Sequence, residues 1–131
     1  MKYNLDSRAQ RLIDIFDLGK GQINISIVNS IDHVVGFHQH KLQTDFFYCV
    51  KGSFQVCLAT DRPPDKRHWF EYISDRDVCK YIVIPPLTYH AYKALEPGSI
   101  MLYYLTEKYN KHDEFRVPIG YFKEDWSIPN K

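Results

Sequence analysis

Short segments in which apolar and polar residues alternate dominate the chain between residues 22 and 106. Residues 22–28, QINISIV, alternate strictly and are rich in β-branched side chains, which is typical of a half-buried strand. Clusters of Gly, Pro, Asn, Asp and Ser between the segments indicate turns. The pattern predicts strands at 22–28, 33–40, 45–50, 53–60, 68–74, 78–84, 89–94 and 100–106.

The two ends of the chain carry weaker signals. Residues 1–10 read as a polar lead-in, and residues 11–18 fit either one helical turn or an edge strand. Residues 107–116 fit irregular structure or a short helix, and residues 121–128 carry aromatic side chains that we expect to dock on the body of the protein. Because no helical pattern separates the strands, the chain favours an all-β sandwich or barrel, with residues 1–131 forming a single domain.

Composition narrows the possible partners. The 131 residues include 17 basic and 16 acidic side chains, and a net charge of +1 gives no electrostatic footprint for nucleic acid or a membrane surface. No apolar run is long enough to span a bilayer, and the first ten residues do not resemble a signal peptide, so we expect a cytoplasmic protein. Cys49, Cys57 and Cys79 lack metal-type spacing and are expected to be small hydrophobic residues on strands.

Most of the candidate metal-binding and catalytic side chains lie in one stretch, residues 36–52. His38 and His40 are two residues apart, so on a strand both side chains point to the same face. Asp45 and a turn glycine, Gly52, follow, and His90 lies behind a double proline further along the chain. If the segments meet, His38, His40, Asp45 and His90 form a set that could bind a divalent ion such as Fe, Mn, Ni or Zn. Alternatively, a histidine with an ordinary pKa near 6.5, such as His38, is suited to general base catalysis.

The residues between His38 and Gly52 resemble the first motif of cupins, H-x-H followed by an acidic residue and a glycine, with Asp45 where that family has Glu. Residues 85–90, PPLTYH, resemble the second motif, with Leu87 in place of a glycine. The resemblance spans about residues 22–109 and leaves 110–131 as a polar extension. It implies a double-stranded β-helix, a small jelly-roll barrel whose site lies in its mouth.

A narrower resemblance connects residues 35–41, VGFHQHK, to dTDP-sugar 3,4-ketoisomerases and to dTDP-4-dehydrorhamnose 3,5-epimerases. Residues 84–92 and 101–109 are similar to later segments of the epimerases. This resemblance implies an isomerase that acts on a sugar, in particular a nucleotide sugar, with His38 as the base, Tyr103 as the acid and His40 as a further catalytic residue. It also implies a homodimer with exchanged strands or with sheets packed across the interface.

Two positions depart from these relatives. Val35 stands where they have an arginine, and Asp45 stands where the epimerases have a lysine. The missing cations would stabilise an enolate oxygen, whereas a carboxylate beside three histidines favours a metal. Three hypotheses therefore remain open: a sugar isomerase or epimerase, a metal-dependent cupin enzyme, and a module that binds a small ligand or sugar without catalysis. Four cationic side chains are candidates for contact with a diphosphate, although such residues are more often solvated: Lys41, Lys51, Arg62 and Lys93.

Overall fold

The computed structural model describes residues 1–16 and 18–127. Within these residues the regular structure consists of eleven strands and one turn of 3-10 helix, Lys111–Asp113. No helix of the described chain is long and apolar enough to cross a membrane. The strands are β1 (Lys2–Leu5), β2 (Gln10–Ile13), β3 (Gln22–Val28), β4 (Val34–Gln39), β5 (Asp45–Lys51), β6 (Ser53–Thr60), β7 (Arg67–Ser74), β8 (Ile82–Ile84), β9 (Tyr89–Ala94), β10 (Ser99–Leu105) and β11 (Phe115–Arg116).

The strands form two antiparallel sheets. The six-stranded sheet has the order β1-β2-β3-β10-β5-β8, and the five-stranded sheet has the order β11-β4-β9-β6-β7. Their inner faces share one apolar core, in which Phe47 and Met101 of the six-stranded sheet meet Phe54, Val56 and Leu58 of the five-stranded sheet. The predicted all-β, cupin-type jelly roll is confirmed.

Most predicted strands are present, and the differences lie near their ends. The strands predicted at 22–28, 53–60 and 89–94 are β3, β6 and β9. Residues 1–10, expected as a polar lead-in, contain the strand β1, and β2 agrees with the strand alternative for the start of residues 11–18; the two form a hairpin that extends the six-stranded sheet. The strand predicted at 78–84 begins only at Ile82, because two successive turns, closed by N–H groups of Asp77 and Lys80, occupy the preceding residues.

Strand β3 faces the opposite way from an ordinary core strand. Its polar residues Gln22, Asn24 and Ser26 point inward and are at most 4% exposed. The intervening residues, Ile23, Ile25 and Ile27, point outward and are only partly covered. The alternation therefore predicted the strand correctly, but the inner side next to β3 is polar because it belongs to a pocket rather than to a dry core.

The outer face of the five-stranded sheet is covered by the C-terminal segment. Phe37 and Ala91 on that face pack with Phe122, and Trp126 packs beside them. The rings of Phe37 and Phe122 meet edge to face with centroids 5.1 Å apart. The expected docking of the aromatic tail is thus confirmed as far as residue 127.

The three cysteines differ in their surroundings. Cys49 and Cys57 lie buried on strands, as predicted, and burial raises the pKa of their thiols to about 11 and about 12. Cys79 was expected on a strand but lies exposed in the turns before β8. The buried thiols remain protonated at neutral pH and act as small apolar side chains.

Candidate functional site

A cavity of about 900 Å³ opens between the two sheets at one end of the barrel. Its size lies at the upper end of the range for small-molecule sites. The five-stranded sheet contributes histidines, the six-stranded sheet contributes Asp45 and Tyr103, and the β1–β2 hairpin contributes Arg11. Residues 114 and 116 of the C-terminal segment close one side.

A bulge in β4 aims the histidine motif into this cavity. Val35 pairs with Tyr92 and His38 pairs with His90, so Gly36 and Phe37 together stand opposite a single residue of β9. Gly36 has φ of 127°, and a Cβ there would lie 2.7 Å from the Cα of Ala91. Glycine is therefore required, since the bulge turns Phe37 to the outer face and leaves His38 directed inward.

Three of the four proposed metal ligands converge. The ligand atoms of His40, Asp45 and His90 all lie within 4.8 Å of one another. The Asp45 Oδ2 lies 3.3 Å from His90 Nε2 and 3.9 Å from His40 Nε2. Burial alone would raise the pKa of Asp45, but the hydrogen bond and charge of His90 and the Gln43 amide lower it, so the carboxylate is ionised.

The donor set fits a divalent metal. His40 Nδ1 lies 2.7 Å from the main-chain carbonyl of Asp113, which can only accept a hydrogen bond, so Nδ1 carries the proton. In the neutral ring the lone pair on Nε2 therefore faces the Asp45 carboxylate, and a cation between them would relieve the repulsion. Two imidazoles and one carboxylate with open positions suit Fe, Mn, Ni or Zn.

His38 stands beside this cluster rather than within it. Its Nε2 lies 3.6 Å from Oε1 of Glu114, and its ring is 6.0 Å from the ring of His90. Burial, together with the neighbouring His90, lowers the pKa of His38 to about 4, against the opposing effect of Glu114. That His38 is the fourth ligand of a metal site stays a prediction. In this arrangement it is a neutral imidazole facing the cavity.

Glu114 is a site residue that the motifs did not reveal. Burial opposes its charge, but a hydrogen bond from Tyr109, 2.9 Å long, and the charge and hydrogen bond of Arg116 lower its pKa. The carboxylate is therefore ionised and positioned to stabilise a positive charge on His38. It lies 76 residues beyond His38 (114 − 38) and carries no motif spacing, so only the fold brings the two together.

Tyr103 enters the cavity from the sheet opposite His38. It lies on β10, packs edge to face against Phe47 with ring centroids 6.0 Å apart, and its hydroxyl accepts a 3.4 Å hydrogen bond from Ser26. Tyr92 lies nearby, and burial raises the pKa of its phenol to about 12. The cavity thus has an imidazole on one wall and a phenol on the other.

Arg11, in a segment expected as a helical turn or an edge strand, adds a cation to the cavity that Tyr92 and Tyr103 also line. Arg11 on β2 is 11% exposed, and its Nη1 lies 2.8 Å from Oδ2 of Asp6. Although burial works against its charge, Asp6 and the phenols of Tyr92 and Tyr103 raise its pKa. Among the described residues, none of Lys41, Lys51, Arg62 and Lys93 lines the cavity.

The sequence of residues 22–125 matches the family described as "FdtA: WxcM-like, C-terminal". This match covers well over half of the chain. The chain belongs to that family. No curated protein sequence matches it significantly.

Three solved structures illustrate how widely this fold is shared. The Staphylococcus aureus capsular polysaccharide assembling protein CapF superposes with a TM-score of 0.77 at 18% identity over 90% of this chain and 34% of CapF. A dTDP-4-dehydrorhamnose 3,5-epimerase from Bacillus anthracis, with TDP and PPi bound, gives 0.72 at 20% over 83% and 66%. The sugar 3,4-ketoisomerase QdtA from Thermoanaerobacterium thermosaccharolyticum, in complex with TDP, gives 0.64 at 21% over 76% and 68%. The chain spans only about a third of CapF, and these likenesses establish the fold.

The bulge in β4 generates a prediction about stability. Gly36→Ala should destabilise the protein by about 3 kcal/mol or more, because an alanine there combines an unfavourable backbone conformation with a clash against β9. Gly98→Ala is the matched control: its φ is also positive, at 77°, but no atom lies within 4 Å of the added Cβ. It should cost about 1–2 kcal/mol. Urea unfolding of both variants measures the difference, and equal losses would contradict the role assigned to the close contact.

Proposed function

We propose that this protein is an isomerase of nucleotide-linked keto sugars, which removes a proton next to the ketone and returns one to the sugar. The observation that carries the proposal is that an imidazole, His38, and a phenol, Tyr103, enter one cavity from opposite sheets. Removal and return of a proton on a sugar held between two walls require such a pair. Two structural relatives support the substrate class: a dTDP-4-dehydrorhamnose 3,5-epimerase and a sugar 3,4-ketoisomerase, each with TDP bound.

In this mechanism His38 is the base. Its imidazole takes the proton from the carbon beside the ketone, so a C–H bond breaks, an N–H bond forms and the electron pair moves onto the ketone oxygen as an enolate. The neutral state of the buried imidazole supports this role. Glu114, 3.6 Å away, would stabilise the imidazolium that results.

Tyr103 is the acid. Its phenolic O–H delivers a proton to the enolate carbon, which completes an isomerisation without net oxidation; solvent then returns a proton to the phenolate and takes the proton from the imidazolium of His38. The hydroxyl of Ser26 supports this role, because its hydrogen bond orients the phenol and would stabilise the phenolate.

Arg11 supplies the positive charge that the relatives carry on an arginine at the position of Val35. Val35 pairs with Tyr92 in the bulged ladder, and Arg11 lines the same cavity as Tyr92 and Tyr103. A buried guanidinium in this part of the cavity would stabilise the enolate oxygen. Arg8 and Arg116, which line the cavity with more exposed side chains, are suited to the diphosphate of the substrate.

The first test follows the proton. In D₂O the wild-type protein should place deuterium next to the ketone of a dTDP-4-keto-6-deoxy sugar, and His38→Ala should slow this exchange by about 10²–10⁴-fold. His33→Ala is the matched control, since His33 is an exposed turn residue bonded to Ser30. Mass spectrometry of the recovered sugar gives the readout. Binding of such sugars by the wild type without any exchange would reject the isomerase in favour of a binding module.

The second test addresses Arg11. Arg11→Gln should lower kcat/KM by about 10²–10³-fold, the usual cost of removing one donor to a developing oxyanion. Arg67→Gln is the control, because Arg67 is exposed, pairs with Asp65 and lies outside the cavity lining. Circular dichroism would verify that both variants fold. A wild-type kcat/KM in Arg11→Gln would rule out this assignment.

A metal-dependent enzyme is the second candidate, favoured by the His40 lone pair that faces an ionised Asp45. His40, Asp45 and His90 would hold the ion, which would supply Lewis acidity toward a substrate carbonyl. The other roles, those of His38 and Tyr103 in moving protons, would be unchanged.

Metal titration of protein without a histidine tag tests this candidate. The metal hypothesis predicts one Zn²⁺ or Ni²⁺ per chain by calorimetry, with at least about tenfold weaker binding in Asp45→Asn. Asp65→Asn, which alters an exposed carboxylate paired with Arg67, should bind like the wild type. Metal content well below one per chain, unrecovered after addition of Fe, Mn, Ni or Zn, would exclude it.

A further inference from the structure

One carboxylate, that of Asp6, closes the loop of the β1–β2 hairpin. Its Oδ1 accepts hydrogen bonds from the main-chain N–H groups of Arg8, at 2.8 Å, and Ala9, at 3.2 Å, and its own N–H donates to the carbonyl of Ala9. Aspartate and asparagine commonly accept from their own main chain in this way in turns. Because the main chain holds Oδ1, the orientation of the whole carboxylate is fixed, and Oδ2 is left for side chains.

Two guanidinium groups meet on that second oxygen. Nη2 of Arg8 lies 2.9 Å from Oδ2 of Asp6, and Nη1 of Arg11 lies 2.8 Å from the same atom. The side-chain hydrogen bond from Arg8 holds the pKa of Asp6 well below its ordinary range, although burial opposes this, so the carboxylate is ionised. Two cations this close repel each other unless an anion lies between them. Asp6 therefore permits two arginines to stand together on the cavity wall.

Arg11 keeps donors for a ligand. Among the described residues it is bonded through one nitrogen only: Nη1 donates to Oδ2 of Asp6 and to Oδ1 of Asn4, which is 3.2 Å away. A guanidinium carries five N–H donors in a fixed planar fork, so those on Nη2 and Nε stay available. The side chain is 11% exposed and lines the cavity, and an anionic oxygen inside the cavity is the partner that these donors suit.

The strand register brings Arg11 close to the proposed acid. Arg11 on β2 stands directly opposite Ser26 on β3, and the Ser26 hydroxyl is bonded to the hydroxyl of Tyr103. Residues directly opposite each other on antiparallel strands have Cβ atoms about 4.5–5.5 Å apart. A cation and a proton donor thus belong to the same wall of the cavity.

We propose that Asp6 is a positioning residue of the site: it fixes the guanidinium of Arg11 so that the available donors meet the ketone oxygen as that oxygen becomes negative. This inference rests on the isomerase function proposed above, in which Arg11 stabilises the enolate. A guanidinium held in advance stabilises developing charge without reorganising during the reaction. Without its counter-ion, a guanidinium this enclosed would turn toward water, and a displacement of about 1 Å can cost about 10²-fold in rate.

Asp6→Asn separates the two roles of the carboxylate. The amide oxygen can still accept the N–H groups of Arg8 and Ala9, so the turn remains, whereas the amide nitrogen that replaces Oδ2 cannot accept from a guanidinium. In protein without an N-terminal tag, kcat/KM for a dTDP-4-keto-6-deoxy sugar should fall by about 10–10²-fold, mostly through kcat. Asp65→Asn is the matched control, since Asp65 is exposed, pairs with Arg67 and lies outside the lining of this cavity.

A double-mutant cycle distinguishes positioning from a general structural role. In the Arg11→Gln background, Asp6→Asn should cost less than about twofold, because the residue through which Asp6 acts is already gone. Equal losses in the two backgrounds would overturn the proposal, since a carboxylate that merely stabilises the hairpin would act in both.

NMR of the ligand-free protein follows the guanidinium itself, with Arg11→Gln to assign its signals. Rotation of the Arg11 guanidinium about the Nε–Cζ bond should be at least about tenfold faster in Asp6→Asn than in the wild type, because charge-assisted hydrogen bonds restrict it. Equal rotation would overturn the proposal whatever the activity. A wild type that catalyses no exchange would reject the isomerase and this role together, whereas an active wild type with an equally active Asp6→Asn would reject this role alone.

Discussion

The two-residue period of β3 is the constraint on which the other features of this protein depend. A strand that turns Gln22, Asn24 and Ser26 inward must turn the three isoleucines between them outward. The inward side chains form a polar wall of the cavity and connect it to neighbouring segments: Asn24 accepts from the main chain at Asp14, and Gln22 accepts from Tyr109. The outward isoleucines lie on the outer surface of the six-stranded sheet. Cavity and outer surface are therefore two results of one pattern, and a register shift of one residue would destroy both.

Electrostatics organises the cavity around groups that are charged although buried. Asp45 is 4% exposed and stays ionised because imidazoles and an amide surround it, and Arg11 stays protonated because Asp6 contacts it. His38 lacks a comparably close partner, and its pKa falls. Burial disfavours the charge on all three side chains, and the adjacent partner decides whether the charge persists. A neutral His38 among these fixed charges suits the proton transfer that we propose.

The sequence predicted the strands and the convergence of His40, Asp45 and His90, because strand period and motif spacing are local properties. It did not predict Arg11, Glu114 or the direction of β3. Glu114 and Arg11 reach the cavity through the sheet order, which local patterns do not encode. Strand alternation separates two faces but does not say which faces inward, and the usual preference for apolar residues inside points the wrong way for β3. Val35 and Asp45 replace cationic residues of the relatives, so the sequence indicated that these cations are missing. It did not indicate that Arg11 on β2 supplies a cation to the same cavity.

Asp113 connects the C-terminal segment to the histidine motif in a way that bears on how such proteins diverge. Its main-chain carbonyl accepts a hydrogen bond from His40 Nδ1, and its carboxylate accepts hydrogen bonds from the N–H groups of Lys41 and Leu42. The next residue, Glu114, faces His38. The polar contacts of both motif histidines thus depend on a short segment that lies more than seventy residues away in the chain. Substitutions in this segment can retune the chemistry while the H-x-H motif stays identical, so two chains that share the motif need not share a reaction.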